Sequence, residues 1–172
     1  MPLVNRVLIW LAAATTLAVL LWFLAALLFG RQAILEFLFG APDRMTVSFE
    51  SLVPPGTPNS YLVCPAGFCR AARPAAESPE YDVPAARLET AWMRMLERQP
   101  RVTVLAQDAA ERQLDIEQRS LLVGYPDTVT VRFIPLQGSR STLAVYSRSH
   151  YGRSDYGVNK ERVEHWLDDL AL

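Results

Sequence analysis

The chain has 172 residues, enough for one domain and an additional segment. Its net charge of −1 and pI of about 6.1 argue against nucleic acid as a partner, because proteins that bind nucleic acid present a basic surface. Only two cysteines and two histidines are present, so few ligands exist for a metal site and we expect neither metal nor cofactor.

The N-terminal segment is strongly apolar. Residues 7–30 contain no charged side chain, and a helix needs about 20 such residues to cross a bilayer. A cleaved signal peptide is the alternative, but the apolar part of a signal is usually only about 7–15 residues long, and Gly30-Arg31 is a poor cleavage context. We therefore predict a retained transmembrane anchor over residues 1–30, with the lipid bilayer as a partner.

Residues 31–44 contain a short apolar stretch around Glu36 and are predicted to lie along the membrane interface. The flanking charges do not decide the orientation of the anchor, because Arg6 stands on one side and Arg31 and Arg44 on the other.

Residues 45–172 read as one domain outside the membrane. Apolar and polar residues alternate from Met45 to Glu50, which predicts a half-buried strand. A proline-rich stretch from Leu52 to about Asp82 follows and is predicted to be irregular. Within it, Cys64 and Cys69 can form a disulfide; free thiols or half of a metal site are the alternatives.

A disulfide would require an oxidising compartment. We therefore expect the N-terminus in the cytoplasm and the domain outside the cytoplasm.

The remaining helices and strands can be assigned from the spacing of their apolar residues and from the turns between them. Pro84 to Arg98 has apolar residues at helical spacing, and Pro100 ends it. Four β-rich segments joined by short turns follow, which permits only antiparallel neighbours; they are Val102–Ala106, Gln113–Val123, Thr128–Leu136 and Thr142–Ser149. Charged residues Asp115, Glu117, Arg119 and Arg132 are predicted to lie on a solvated sheet face. A final helix spans Asn159 to Leu170. This order predicts an α+β domain, an antiparallel sheet of about five strands packed with two helices.

The link from the last strand to the last helix, Tyr146 to Arg162, is the most polar stretch of the chain. Gly152 and Gly157 allow a turn with positive φ. Asn159 is a suitable N-cap, and Asp155 can accept hydrogen bonds from the first helical amides.

Cations near a helix N-terminus can bind an anion. We expect four of them to converge here: Arg148, Arg153, Lys160 and Arg162. The structural alternative is that Asp155 pairs with Arg148 or Arg153 and fixes the turn.

Catalytic patterns are not evident. Ser149, His150 and Asp155 have the residue types of a triad, but on a strand Ser149 and His150 would point to opposite faces. We therefore assign no catalytic residue, and an enzyme is the less favoured class.

The residues Tyr146-Ser-Arg-Ser and Tyr151-Gly-Arg-Ser-Asp, with Gly157, Asn159 and Arg162, resemble the signature of the domain-of-unknown-function 1499 family. Arg119-Ser120 and Tyr125-Pro126-Asp127 are also similar to that family, whereas His150 stands where arginine is frequent. The family has no settled activity. Its membrane-anchored bacterial members imply a bacterial inner membrane, with the domain in the periplasm. The resemblance implies importance for the positions Arg119, Ser147, Ser149, Gly152, Asp155, Gly157, Asn159 and Arg162.

We expect a binding or accessory module, for example an auxiliary subunit of a membrane protein complex. A protein that binds small anions or lipid headgroups is the alternative, and a hydrolase centred on Ser149 or His150 is the third. The candidate binding residues are Arg119, Arg148, Ser149, Arg153, Asp155, Asn159, Lys160 and Arg162.

Overall fold

The computed structural model describes residues 2–172, with side chains from Val4 onward. It divides into two compact units, Met1–Ala41 and Pro42–Leu172, and each is described by itself.

The first unit is helical. It consists of α1 (Pro2–Phe29) and α2 (Arg31–Phe39), separated by Gly30 with φ of 80°. Within α1, residues Val4–Phe29 have a mean hydropathy of 2.4 over their most apolar stretch, none of which is buried in the described structure. The Thr16 hydroxyl donates to the carbonyl of Ala12 at 2.9 Å, which satisfies it inside the helix. By length and composition α1 can be a membrane anchor or a signal sequence.

The second unit is an α+β domain built on one six-stranded sheet. The sheet order is β2-β1-β6-β5-β4-β3, and all neighbours are antiparallel except the parallel pair β1 and β2. The elements in chain order are β1 (Ser60–Cys64), β2 (Ala76–Glu77), α3 (Ala85–Glu97), β3 (Val102–Asp108), β4 (Gln113–Arg119), β5 (Pro126–Pro135), β6 (Ser141–Ser149) and α4 (Val158–Asp168).

Both faces of the sheet are covered. On one face α3 and α4 bury the main core, in which the ring of Trp92 makes edge contacts with Trp166 at 5.9 Å and Phe133 at 6.1 Å between centroids. On the other face Phe49 packs in a smaller cluster with Tyr146. The alternation of side chains along each strand supplies apolar residues to both clusters.

The predicted α+β class is confirmed, as are the two helices and four strands after residue 84, to within a few residues at most ends. The largest boundary difference is in β4, which ends at Arg119 rather than Val123. The proline-rich stretch is not irregular throughout, because it contains β1, which pairs with β6 inside the sheet, and the short β2.

The predicted strand Met45–Glu50 is wrong. Val47 and Phe49 are buried as the alternation suggests, but the segment lies across the sheet face and pairs with no strand. Side chains of β4 meet it instead: Gln113 donates to the carbonyl of Val47 at 3.0 Å, and Asp115 accepts from the hydroxyl of Thr46 at 2.9 Å.

The prediction that Asp115 and Glu117 are solvated is wrong. This segment covers them, and each is only 5% exposed. Glu117 pairs with Arg44 at 2.9 Å and with Arg119 at 2.6 Å. Buried charges need such partners, and the covering segment supplies one of them.

Replacing Phe49 with alanine should lower the free energy of unfolding of the domain by about 3–5 kcal/mol, because a fully buried ring is lost. Urea denaturation of the full chain in mild detergent measures this. Met45→Ala is the matched control, since Met45 is 76% exposed on the same segment. Equal effects of the two substitutions would show that the segment does not cover the sheet.

Candidate functional site

The polar residues around the last strand and last helix form one hydrogen-bonded cluster, with Asn159 at its centre. Asn159 is 0% exposed. Its Oδ1 accepts from the hydroxyl of Ser147 and from Nη1 of Arg162, both at 2.6 Å. Its Nδ2 donates to Asp155 Oδ2 at 2.7 Å and to Ser149 Oγ at 3.0 Å. One amide therefore connects the end of β6 to the first turn of α4.

Arg162 extends this cluster into the sheet. Its side chain is 7% exposed and its Nη2 contacts Asp127 Oδ2 at 2.5 Å. Its Nε donates to Gln118 Oε1 at 2.6 Å, and its Nη1 also donates to Ser147 Oγ at 2.9 Å. Residues from β4, β5 and β6 thus meet one guanidinium group from α4. Asp127 supplies the compensating charge that a buried cation requires.

Asn59, in the loop before β1, joins the cluster from another direction. Its Nδ2 donates to the carbonyls of Ser149 at 3.3 Å and Gly152 at 3.2 Å, and its own carbonyl accepts from Asn159 Nδ2 at 3.1 Å. The loop between β6 and α4 is therefore held from both sides. We call the set Asn59, Gln118, Asp127, Ser147, Ser149, Asp155, Asn159 and Arg162 the Asn159 cluster.

The start of α4 is capped by a carboxylate. Asp155 Oδ1 accepts from the amide of Gly157 at 3.1 Å, and its Oδ2 accepts from the amide of Asn159 at 2.9 Å. Burial tends to raise the pKa of Asp155, but these hydrogen bonds outweigh it and hold that pKa below its usual value. The predicted capping role of Asp155 is confirmed.

The N-cap predicted at Asn159 is wrong: the N-cap is Gly157, with φ of 87°, and Gly152 has φ of 84°. Both angles are readily available only to glycine, because a Cβ would be strained there. Asn159 lies one step inside the helix, where its side chain turns inward to the cluster.

The predicted convergence of four cations does not occur. Only Arg162 lies in the cluster. Lys160 is exposed, 3.9 Å from Glu164, and Arg153 lies in the exposed part of the loop. Arg148 Nη2 donates to the carbonyls of Asp43 and Met45, both at 3.1 Å.

The alternative, a pair between Asp155 and Arg148 or Arg153, is also absent from the hydrogen bonds of the described residues, since Asp155 bonds to Asn159 and Gly157. Arg119, at the end of β4, pairs with Glu117 and donates from Nη1 to the carbonyl of Gly124 at 3.2 Å.

Ser149 and His150 contact different groups. The Ser149 hydroxyl accepts from Asn159, whereas the imidazole Nε2 of His150 contacts the hydroxyl of Thr128. Burial lowers the pKa of His150, and the nearby cation of Arg148 lowers it further, partly offset by Asp127. This geometry favours a neutral imidazole that packs at the end of the sheet.

Cys64 and Cys69 form a disulfide, both residues being buried. The bond closes the turn after β1 and packs in the same small cluster as Phe49. Among residues 2–172, no group of three or more His, Cys, Asp and Glu side chains is placed to hold a metal ion.

A shallow groove of about 480 Å³ reaches the Asn159 cluster from the surface. It runs between α4 and the connection from α3 to β3, and Gln118 and Arg162 are among its lining residues. Only the edge of the cluster is presented here, because Arg162 is already bonded to its four partners.

The fold and this cluster define an α+β domain whose signature residues hold the last helix on the sheet. Residues 54–170 match the family described as "Protein of unknown function (DUF1499)", and the chain belongs to that family. No curated protein is significantly similar to the chain.

Four members of the cluster are absent from the candidate binding residues: Asn59, Gln118, Asp127 and Ser147. Ser147 is among the positions that the resemblance implies. Of the other three, only Asp127 had a signal, since a buried arginine needs an anion and Asp127 lies near the start of a neighbouring strand. Asn59 and Gln118 reach the cluster through pairings of β1 and β4 that local sequence does not reveal.

Replacing Asn159 with alanine should lower the free energy of unfolding by about 2–4 kcal/mol, because Ser147, Ser149 and Arg162 lose a buried partner. The control is Lys160→Ala, at the next position of the same helix, with an expected change within about 0.5 kcal/mol. Urea denaturation of the full chain in mild detergent measures both. If the cluster served ligand binding and not stability, both substitutions would change the free energy of unfolding by similarly small amounts.

The stability of the domain should fall as the pH decreases below about 6.5, the ordinary pKa of histidine, through His150. Its pKa is lower in the folded state than in the unfolded state, so its contribution is fully present above the unfolded pKa and is lost as pH falls through the folded pKa. The free energy of unfolding of His150→Gln, measured in parallel, should decrease less over this range. If the free energy of unfolding fell equally with pH in His150→Gln and in the unchanged chain, the assignment of this pH dependence to His150 would be contradicted.

Proposed function

We propose that the protein is a single-pass membrane protein whose domain acts as a non-catalytic binding or accessory module, for example as an auxiliary subunit of a membrane complex. The observation that carries this proposal is α1, whose stretch Val4–Phe29 is long and apolar enough to cross a bilayer. An anchored domain searches for partners in two dimensions, which favours association with other membrane proteins.

The geometry of the Asn159 cluster favours a non-catalytic role. General acid–base and nucleophilic groups must reach a substrate atom. Here the hydroxyl of Ser149 and the guanidinium of Arg162 bond to other side chains of the domain, and Asp155 caps α4. A hydrolase centred on Ser149 or His150 therefore has the least support.

The disulfide supports a location of the domain outside the cytoplasm, because such bonds persist in oxidising compartments. We therefore place the N-terminus with Arg6 in the cytoplasm and the domain in the periplasm of a bacterial inner membrane. This orientation is independent of the near-balanced flanking charges.

Lipid-headgroup or small-anion binding is the second candidate. It is favoured by the exposed cations Arg153 and Lys160 on or beside the loop between β6 and α4. Arg162 does not contribute to it, since Asp127 already neutralises its charge.

Fusions to the C-terminus test the orientation. Alkaline phosphatase, which requires periplasmic disulfides, should be active, and green fluorescent protein exported by the general secretion route should be dark. The same fusions behind a chain that lacks residues 2–30 should give the reverse pattern, since the anchor is gone. A fluorescent full-length fusion with inactive phosphatase would contradict the proposed orientation.

Purification from native membranes in mild detergent tests the accessory role. The tagged chain should elute in a complex larger than the monomer and should retain a defined partner protein after cross-linking. The matched control replaces α1 with an unrelated transmembrane helix, which keeps the domain at the membrane and reveals whether α1 or the domain makes the contact. A monomer in every preparation would contradict the accessory role.

A further inference from the structure

We propose that one end of the sheet contacts the lipid bilayer directly, with apolar side chains of two loops inserted into its interfacial region. The loops are Ser120–Tyr125, between β4 and β5, and His150–Gly157, between β6 and α4; together we call them the apolar end. The inference rests on the anchoring proposed above and goes beyond it by naming the surface of the domain that meets lipid.

Strand register places the two loops together. Arg119 pairs with Pro126 across β4 and β5, and Asp127 pairs with Ser149 across β5 and β6. Both loops therefore leave the same end of three adjacent strands. The rings of Tyr125 and Tyr151 meet edge to face with 6.1 Å between centroids, so the loops touch.

Several side chains of these loops are apolar or aromatic and largely exposed, and the exposed cation Arg153 lies beside them. Leu121 is 65% exposed and Leu122 81%, and Tyr156 is 96% exposed. Adjacent exposed leucines beside tyrosines suit the lipid interface, where apolar atoms enter the acyl region and phenol hydroxyls remain at headgroup level.

Hydrogen bonds within each loop close the turns that carry these side chains. The hydroxyl of Ser120 accepts from the amides of Gly124 at 3.1 Å and Tyr125 at 2.9 Å, which closes the turn that carries the two leucines. Tyr156 has φ of 55°, an uncommon angle for a residue with a Cβ. Neighbouring hydrogen bonds to Asp155 and Ser154 hold this conformation and direct the ring away from the domain core.

The chain enters the domain at the apolar end, which identifies lipid as the occupant. The carbonyls of Asp43 and Met45 accept from Arg148, the partner of Thr128 near the end of β5 and β6. Arg44 pairs with Glu117, close to the end of β4. The second unit begins at Pro42, so the residues that follow the proposed anchor in the chain enter the domain at this end of the sheet.

The other end of the sheet has a different character. Its turns are residues 109–112 and 136–140, and their exposed side chains are mainly charged or polar, among them Glu111, Gln137, Ser139 and Arg140. Of these two sets of turns, the one at the end where the chain enters carries the exposed Leu121, Leu122 and Tyr156.

Fluorescence quenching by spin-labelled lipid tests the inference on the full chain reconstituted in phosphatidylcholine–phosphatidylglycerol vesicles. Both native cysteines are in the disulfide, so an introduced cysteine can be labelled alone with a small fluorophore. The variants are Leu122→Cys and Tyr156→Cys at the apolar end, Ser139→Cys at the opposite end and Leu17→Cys within α1. Lipids with a nitroxide high on the acyl chain serve as the quencher.

We expect labels at positions 17, 122 and 156 to lose about half of their fluorescence or more, and the label at 139 to lose little, because interfacial side chains lie about 5–10 Å deep. Quenching at 17 with labels at 122 and 156 no more quenched than at 139 would overturn the inference and leave the anchor intact. Absence of quenching at 17 would overturn the anchor, and the inference with it. A photo-cross-linker at 122 that captures a protein in native membranes, with no quenching in vesicles, would likewise overturn lipid as the occupant.

Discussion

The structure of the domain depends on a buried positive charge. Arg162 can remain charged away from water only while Asp127 is beside it and Gln118, Ser147 and Asn159 accept its other hydrogen bonds. These partners come from three strands and from the helix itself. The cation therefore constrains how α4 docks on the sheet, because its partners lie on three different strands.

The loop before α4 follows from that constraint. Once Asn159 is committed to Arg162 and Ser149, Asp155 can cap the helix and Gly157 can take the left-handed turn. The polar residues of the family signature therefore bond to one another and stabilise the end of the sheet. The outer surface of the same loops carries exposed apolar and aromatic side chains, which are the ones in the proposed contact with lipid. The inward side chains of these loops stabilise the fold, and the outward ones are exposed. This explains why a polar motif lies beside exposed Leu122 and Tyr156.

Local pattern predicted the elements from residue 84 onward, because their apolar periods and turns are regular, as in α3 and β5. It failed where tertiary contacts override the pattern. Val47 and Phe49 alternate like a strand yet cross the sheet face, and their segment buries Asp115 and Glu117, which would otherwise face water. The candidate residues Ser149, Asp155, Asn159 and Arg162 do come together, but their roles depend on Asn59 and Asp127, which are distant in sequence.

A double-mutant cycle between Arg162 and Asp127 tests most directly whether this buried pair organises the domain. Arg162→Met, Asp127→Leu and the double variant would be unfolded by urea in mild detergent. Each single variant leaves a buried charge or polar partner unpaired, so the double variant should be more stable than the sum of the single effects by about 2 kcal/mol or more. Additivity within about 0.5 kcal/mol would show that the two residues are independent and contradict the account.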